Sequence, residues 1–178
     1  TAEAEPLYRE ALDLQRAALP PGHPDIASGL STLALLLNAT GRYAEAEPLF
    51  REALDLRRVA LPSGHPNIAL GLGNLAGLLN ATGRYAEAEP LYREALDLRR
   101  AAMPPGHPNI ALDLGRVAHL LKTTGRYVEA EPLYREALDL QRAALPPGHP
   151  DIASGLSTLA GLLEATDRYA EAEPLYRE

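Results

Sequence analysis

The chain has no cysteine and no tryptophan, one methionine, one phenylalanine and one lysine, Lys122, against 16 arginines. Without cysteine there are no disulfides and no thiolate ligands or nucleophiles. A net charge of −7 argues against a nucleic-acid-binding face. No apolar run approaches the roughly 20 residues that span a bilayer; the longest is the mixed Leu33-Ala34-Leu35-Leu36-Leu37. No membrane segment, signal-like start or initiator methionine is present, so the chain is expected to be a cytoplasmic fragment of a longer protein. Ala, Leu, Pro, Arg and Gly dominate, a bias associated with GC-rich bacterial genomes. Hydrophobic residues make up 46%, enough to fold rather than stay disordered.

What is present is a period. The stretch from Gly41 to Leu54 returns nearly unchanged from Gly83 and Gly125, and truncated from Asp167. Tyr43, Tyr85, Tyr127 and Tyr169 are 42 residues apart. A fixed period in this range marks a solenoid or array.

Each period reads as two helices. The shorter, helix A, follows His-Pro and is expected near 24–39, 66–81, 108–123 and 150–165. Pro24 suits the first helical position and Asp25 the first turn. Ile26, Leu30, Leu33, Ala34 and Leu37 recur at helical spacing, and Gly41 suits a left-handed cap. The longer, helix B, is expected near 2–19, 44–60, 86–102, 128–144 and 170–178. Glu3 and Glu5 sit near the start of its first copy, as the helix dipole prefers. Pro48, Pro90, Pro132 and Pro174 imply either a late start or a tilted first turn. Short connections make antiparallel hairpins, and stacked hairpins make an all-α solenoid. The chain thus reads as one array: a helix B over 1–19, repeats over 24–61, 66–103 and 108–145, and a partial repeat over 150–178.

The pattern Leu30, Leu33, Ala34, Leu37, Gly41, Tyr43, Ala46, Phe50 and Ala53 resembles the tetratricopeptide repeat. The phrases His23-Pro24-Asp25-Ile26-Ala27 and Tyr43-Ala44-Glu45-Ala46-Glu47-Pro48-Leu49 resemble its 42-residue form, found in kinesin light chains and in bacterial multidomain proteins. The resemblance covers the whole chain. It implies a right-handed superhelix with helices A lining a concave groove for peptides or partner proteins. Light-chain repeats usually carry paired asparagines where this chain has Ser31-Thr32, Gly73-Asn74, Gly115-Arg116 and Ser157-Thr158, so those clamping contacts are not carried over.

The copies differ unevenly. Residues 1–42 and 127–168 differ at five positions: Thr1/Tyr127, Ala2/Val128, Leu35/Gly161, Asn38/Glu164 and Gly41/Asp167. The two middle repeats differ at 10 of 42, and six of those lie in helix A: Gly71/Asp113, Asn74/Arg116, Leu75/Val117, Gly77/His119, Asn80/Lys122 and Ala81/Thr123. At 100° per residue, Ser28, Ser31, Leu35 and Asn38 lie roughly opposite the apolar stripe, on the expected groove side. Two explanations of the variation are open: groove positions carry no packing load and drift, or they are selected for a ligand. On the second, Arg116, His119 and Lys122 form a basic patch for an acidic peptide or carboxylate, with Asn38, Asn74 and Asn80 as partners for a peptide backbone. On the first, the patch is a solvated helix face.

Other chemistry fits less well. His23, His65, His107 and His149 occur once per repeat, and helices ~8–10 Å apart place them too far from one another to share a metal. Glu47 and Arg51 at i, i+4 suit a surface ion pair. No serine has a unique histidine and aspartate to activate it, and the loop glycines lack a phosphate-cradling pattern. The expectation is a non-catalytic binding scaffold without metal or cofactor, binding neither nucleic acid nor membrane. The alternative is a self-associating array stacked head-to-tail through uncapped ends.

Overall fold

The computed structural model describes residues 4–178. Among the described residues there are nine α-helices and no strand. They are α1 (Ala4–Ala18), α2 (Pro24–Ala39), α3 (Tyr43–Ala60), α4 (Pro66–Ala81), α5 (Tyr85–Ala102), α6 (Pro108–Thr123), α7 (Tyr127–Ala144), α8 (Pro150–Glu164) and α9 (Tyr169–Arg177). The even-numbered helices are the A type, the odd-numbered the B type. Residues 1–3, on which the expected start of the first helix, Glu3, and the Thr1/Tyr127 and Ala2/Val128 differences fall, lie outside the described residues. No described helix is long and apolar enough to cross a membrane.

The starts of the helices A come from the histidines. In α2 the N-cap is His23, whose Nδ1 accepts a hydrogen bond from the Asp25 amide, and Pro24 takes the first position. His65, His107 and His149 cap α4, α6 and α8 in the same way. An imidazole nitrogen here does what a serine or aspartate oxygen usually does. The helices B start earlier than expected, at the tyrosines, so Pro48 and Pro132 sit inside α3 and α7 at the sixth position.

The helices A stop in Schellman motifs. After α2, Gly41 takes φ +76° while its amide donates to the Asn38 carbonyl and the Arg42 amide to that of Leu37. The fourth copy keeps the same bonds with Asp167 at φ +59°. A side chain there carries a left-handed penalty that glycine avoids.

The chain divides into two compact units, Thr1–Leu98 and Arg99–Glu178. In the first, α1 packs on α2, α2 on α3 and α3 on α4, and α2 also touches α4. In the second, α6 packs on α7, α7 on α8 and α8 on α9. The apolar stripe is the core: Leu30, Leu33, Ala34 and Leu37 are at most 2% exposed, as are Ala46, Phe50 and Ala53 of α3. The alanines Ala34, Ala76, Ala118 and Ala160 are fully buried. Their small side chains let neighbouring backbones approach closely, and larger leucines interdigitate around them.

Helix B carries a ladder of ion pairs between repeats. Arg84 reaches back to Glu47 at 2.6 Å and forward to Glu87 at 2.7 Å, while Arg51 holds the other oxygen of Glu47 at 2.7 Å. Arg168, Glu131, Arg135 and Glu171 repeat the arrangement in the second unit. A second rung, 36 residues apart, joins Arg16 to Glu52, Arg58 to Glu94 and Arg100 to Glu136. Isolated pairs of this kind contribute about 0–1 kcal/mol each. The Glu47–Arg51 pair read from spacing is therefore one link of a longer network.

Two outcomes follow from these local features. Asp167→Gly should raise stability by about 1 kcal/mol, because the backbone bonds stay and the left-handed strain goes, against the loss of one long, exposed bond from the Tyr169 hydroxyl; equal denaturation midpoints for the two proteins would contradict this. Glu131 has its carboxyl held below the usual range by the hydrogen bond from Arg168, against the opposing effect of burial and with help from Arg135. A lowered folded-state pKa contributes stability that is present above the ordinary carboxylate value and lost as pH falls through the folded one. Wild type should therefore lose more stability than Glu131→Gln between neutral pH and about pH 3, measured by chemical denaturation at each pH.

Candidate functional site

The helix-A faces differ from the spacing-based expectation by about one residue. Ser31, expected in the groove, is only 6% exposed. The accessible ridge of α2 is Ser28, Thr32 and Leu35. On α6 it runs through Leu112, Arg116 and His119. Neighbouring helices on both sides rotate the buried arc past the simple opposite of the leucine stripe.

The six candidate residues fall three in each unit. Asn38 and Asn80 occupy the same register on α2 and α4, each half-buried, and each has a buried Oδ1 without a hydrogen-bond partner. Asn74 lies on the half-exposed side of α4. In the second unit His119 is exposed and Lys122 is half-buried, with its Nζ turned toward Gly161 of α8. Arg116 is engaged by its own helix, donating to Asp113 Oδ1 at 3.0 Å. The three side chains of α6 therefore do not form one free basic patch.

Asp113 is the residue that spacing did not reveal. It is 1% exposed and forms an ion pair with Arg99, itself 5% exposed, from the end of the preceding helix B. Burial pushes the Asp113 carboxyl up, and the charges of Arg99 and Arg116 offset this only in part. The Gly71/Asp113 and Asn74/Arg116 differences are thus linked through a buried network, and Asp113 does not belong to the groove.

This network occupies a repeated register. Residues 15, 57, 99 and 141 near the ends of helices B face residues 29, 71, 113 and 155 of the next helices A. In three of the four the helix-A residue is glycine, which explains glycine in mid-helix. A Cβ on Gly155 would lie 2.6 Å from Gln141 Oε1, and one on Gly71 3.1 Å from Arg57 Nη1; Gly29 and Gln15 repeat the clash. The signal was visible in principle as the alternation Gln15, Arg57, Arg99, Gln141 beside Gly29, Gly71, Asp113, Gly155.

Between the N-terminal ends of α6 and α8 lies a cleft of about 370 Å³. Leu112 and Ser154 flank it, Leu140, Ala144 and Leu145 line it, and Gln141, with its unpartnered Oε1, lies beneath. Among the described residues no group of three histidines, cysteines or carboxylates is placed to hold a metal ion.

This architecture of repeated, capped helix hairpins is that of a helical-repeat solenoid. A family profile matches residues 1–59, 25–101, 67–143 and 109–178, and the chain belongs to the tetratricopeptide repeat family. Solved structures with the same fold include a putative kinesin light chain with nearly identical TPR-like repeats from Podosopora anserina. It is 24% identical over 99% of this chain and 83% of that one, with a TM-score of 0.85. BtubC (BKLC) from P. vanneervenii is 24% identical over 98% and 69% of the two chains, at TM-score 0.87. The apo form of RapI is 16% identical over 96% and 59%, at 0.79. No curated protein sequence matches the chain. Tetratricopeptide repeats are generally non-catalytic interaction scaffolds.

The buried pair sets a test. Asp113→Ala should cost about 3 kcal/mol, because it leaves Arg99 buried without a counter-charge. Arg99→Gln with Asp113→Gly should recover most of the loss, since it copies the Gln15–Gly29 and Gln141–Gly155 arrangement. Denaturant unfolding of the three proteins reads both effects.

Proposed function

We propose that the chain binds protein or peptide segments along its helix-A faces. The contrast between its two kinds of helix carries this reading. Helix B presents arginines and glutamates that satisfy one another in the ladder. Helix A presents leucines that water still touches, Leu35 at 47%, Leu70 at 42% and Leu112 at 49% exposed. Beside them are polar atoms without partners, Asn38 Oδ1 and Asn80 Oδ1 among them. Exposed apolar side chains flanked by half-buried amides are the composition of a recognition surface. Asn38, Asn74 and Asn80 would engage a peptide backbone. In the second unit Lys122 and His119 would favour an acidic segment, with Arg116 contributing what Asp113 leaves of its charge. The cleft beside Leu112, in the same unit, would seat a side chain of that acidic segment.

Self-association is the second reading. Tyr8 and Leu7 of α1 are 40% and 65% exposed, whereas Phe50 in the corresponding place on α3 is 2% exposed. The outer face of α1 therefore suits another helix, which on this reading a second copy would supply. Light scattering over a concentration series decides: a constant monomer mass discards stacking.

The groove reading is tested by capture on an immobilised library of capped peptides. Leu35→Asp with Leu70→Asp should reduce capture at least about tenfold, the loss expected when apolar contacts worth more than about 1.4 kcal/mol are removed. Val59→Asp and Val128→Asp, on exposed helix-B positions, should leave it unchanged. Equal effects from both pairs would discard the groove.

A further inference from the structure

Arg57 is a buried cation without a counter-charge. Its residue is 6% exposed, its Nη1 has no hydrogen-bond partner, and its Nη2 donates one long bond of 3.4 Å to the Ala27 carbonyl of α2. Burial lowers its pKa. Removing a guanidinium from water without pairing it is expensive. Packing does not require an arginine here, because Gln15 and Gln141 fill the same register against Gly29 and Gly155.

The next repeat shows what this register accepts. There the same side chain, Arg99, is paired with the Asp113 carboxylate, and Arg116 one turn along gives that carboxylate a second donor. In α4 the carboxylate is missing, since Gly71 stands for Asp113 and Asn74 for Arg116. A second polar group is also unfilled: Ser31 Oγ on α2, one turn beyond Ala27, is buried without a partner. Gly71 and Arg57 Nη1 are buried, but solvent reaches the same turn of α4 at Leu70, 42% exposed, and at the half-exposed Asn74.

We propose that Arg57, with Ser31 and Asn74, forms a subsite for one carboxylate, the aspartate or glutamate side chain of a bound peptide. That carboxylate sits over Gly71 between α2 and α4, in the place that the Asp113 side chain takes beside α6. Arg57 Nη1 lies where a Cβ on Gly71 would be 3.1 Å away, so the guanidinium must move aside to admit the carboxylate; the Arg99–Asp113 pair shows that the register can hold both groups. The subsite deepens the peptide-binding reading and rests on it, but the decisive residue comes from helix B, beneath the groove. Two identical arginines thus have different fates: Arg99 is internally neutralised, and Arg57 awaits its charge from the ligand.

The test uses the whole chain with arginine side chains labelled for NMR. Acetate should move the Arg57 Nε–Hε signal saturably and leave that of Arg99 in place. Gly71→Asp, which transplants the internal carboxylate, should abolish the response. Asp113→Gly with Arg116→Asn should make Arg99 respond. A fluorescein-labelled capped decapeptide of serine and leucine with one central aspartate should bind about tenfold more tightly than its asparagine twin, the worth of one charged hydrogen bond. Arg57→Gln, which the register tolerates at Gln15 and Gln141, should erase the difference. An Arg57 signal indifferent to acetate, a Gly71→Asp protein that still responds, or equal binding of the twin peptides to wild type overturns the subsite. An acetate response with neither peptide bound supports the carboxylate subsite and removes the groove reading instead.

Discussion

The close approach of helices at fully buried alanines is the constraint on which the rest of the structure depends. Ala34 and Ala76 in helix A, and Ala46 and Ala88 in helix B, have no exposed surface. A single hairpin cannot bury both faces of its own helices, so each relies on the next copy to cover it. That dependence holds helix B nearly constant from repeat to repeat, since its residues serve two interfaces at once. It also explains why the same histidine cap and the same left-handed stop recur: successive interfaces match only if the helices have equal length and begin at equal points.

Within that frame the polar groups divide by helix type. The surface arginines and glutamates of helix B face one another across repeats, and the buried charge left unmet on that helix is Arg57. Helix A keeps exposed leucines and unpartnered amide oxygens. An interaction scaffold needs such a division. The surface that joins repeats is self-complementary, and the helix-A surface proposed to meet a partner is not.

Much of this was legible along the chain. The period, the two helices per repeat, the apolar stripe and the glycine stop are local signals, readable within one or two turns of helix. The histidine cap was half-legible: proline at the first position marked the start, whereas the imidazole as acceptor required its rotamer. Asp113 was misleading. Its difference from Gly71 looked like groove variation because it lies in helix A, yet it points inward to Arg99, 14 residues earlier on another helix. The expected groove register missed for a related reason. Helical periodicity locates the most buried line of a helix well and the edges of its exposed arc poorly, because those edges depend on where neighbours press.

By itself, then, the sequence determined the family, the helix boundaries to within a residue or two, and the repeat that every interface reuses. These are properties of backbone propensity and of side chains a few residues apart. Only the tertiary structure decided which like residues behave alike. Arg57 and Arg99 are the same amino acid at the same place in consecutive repeats, but one lies against a bare glycine and the other against a carboxylate. The difference is electrostatic and arises across helices, where a buried charge has the partner that the fold supplies or none.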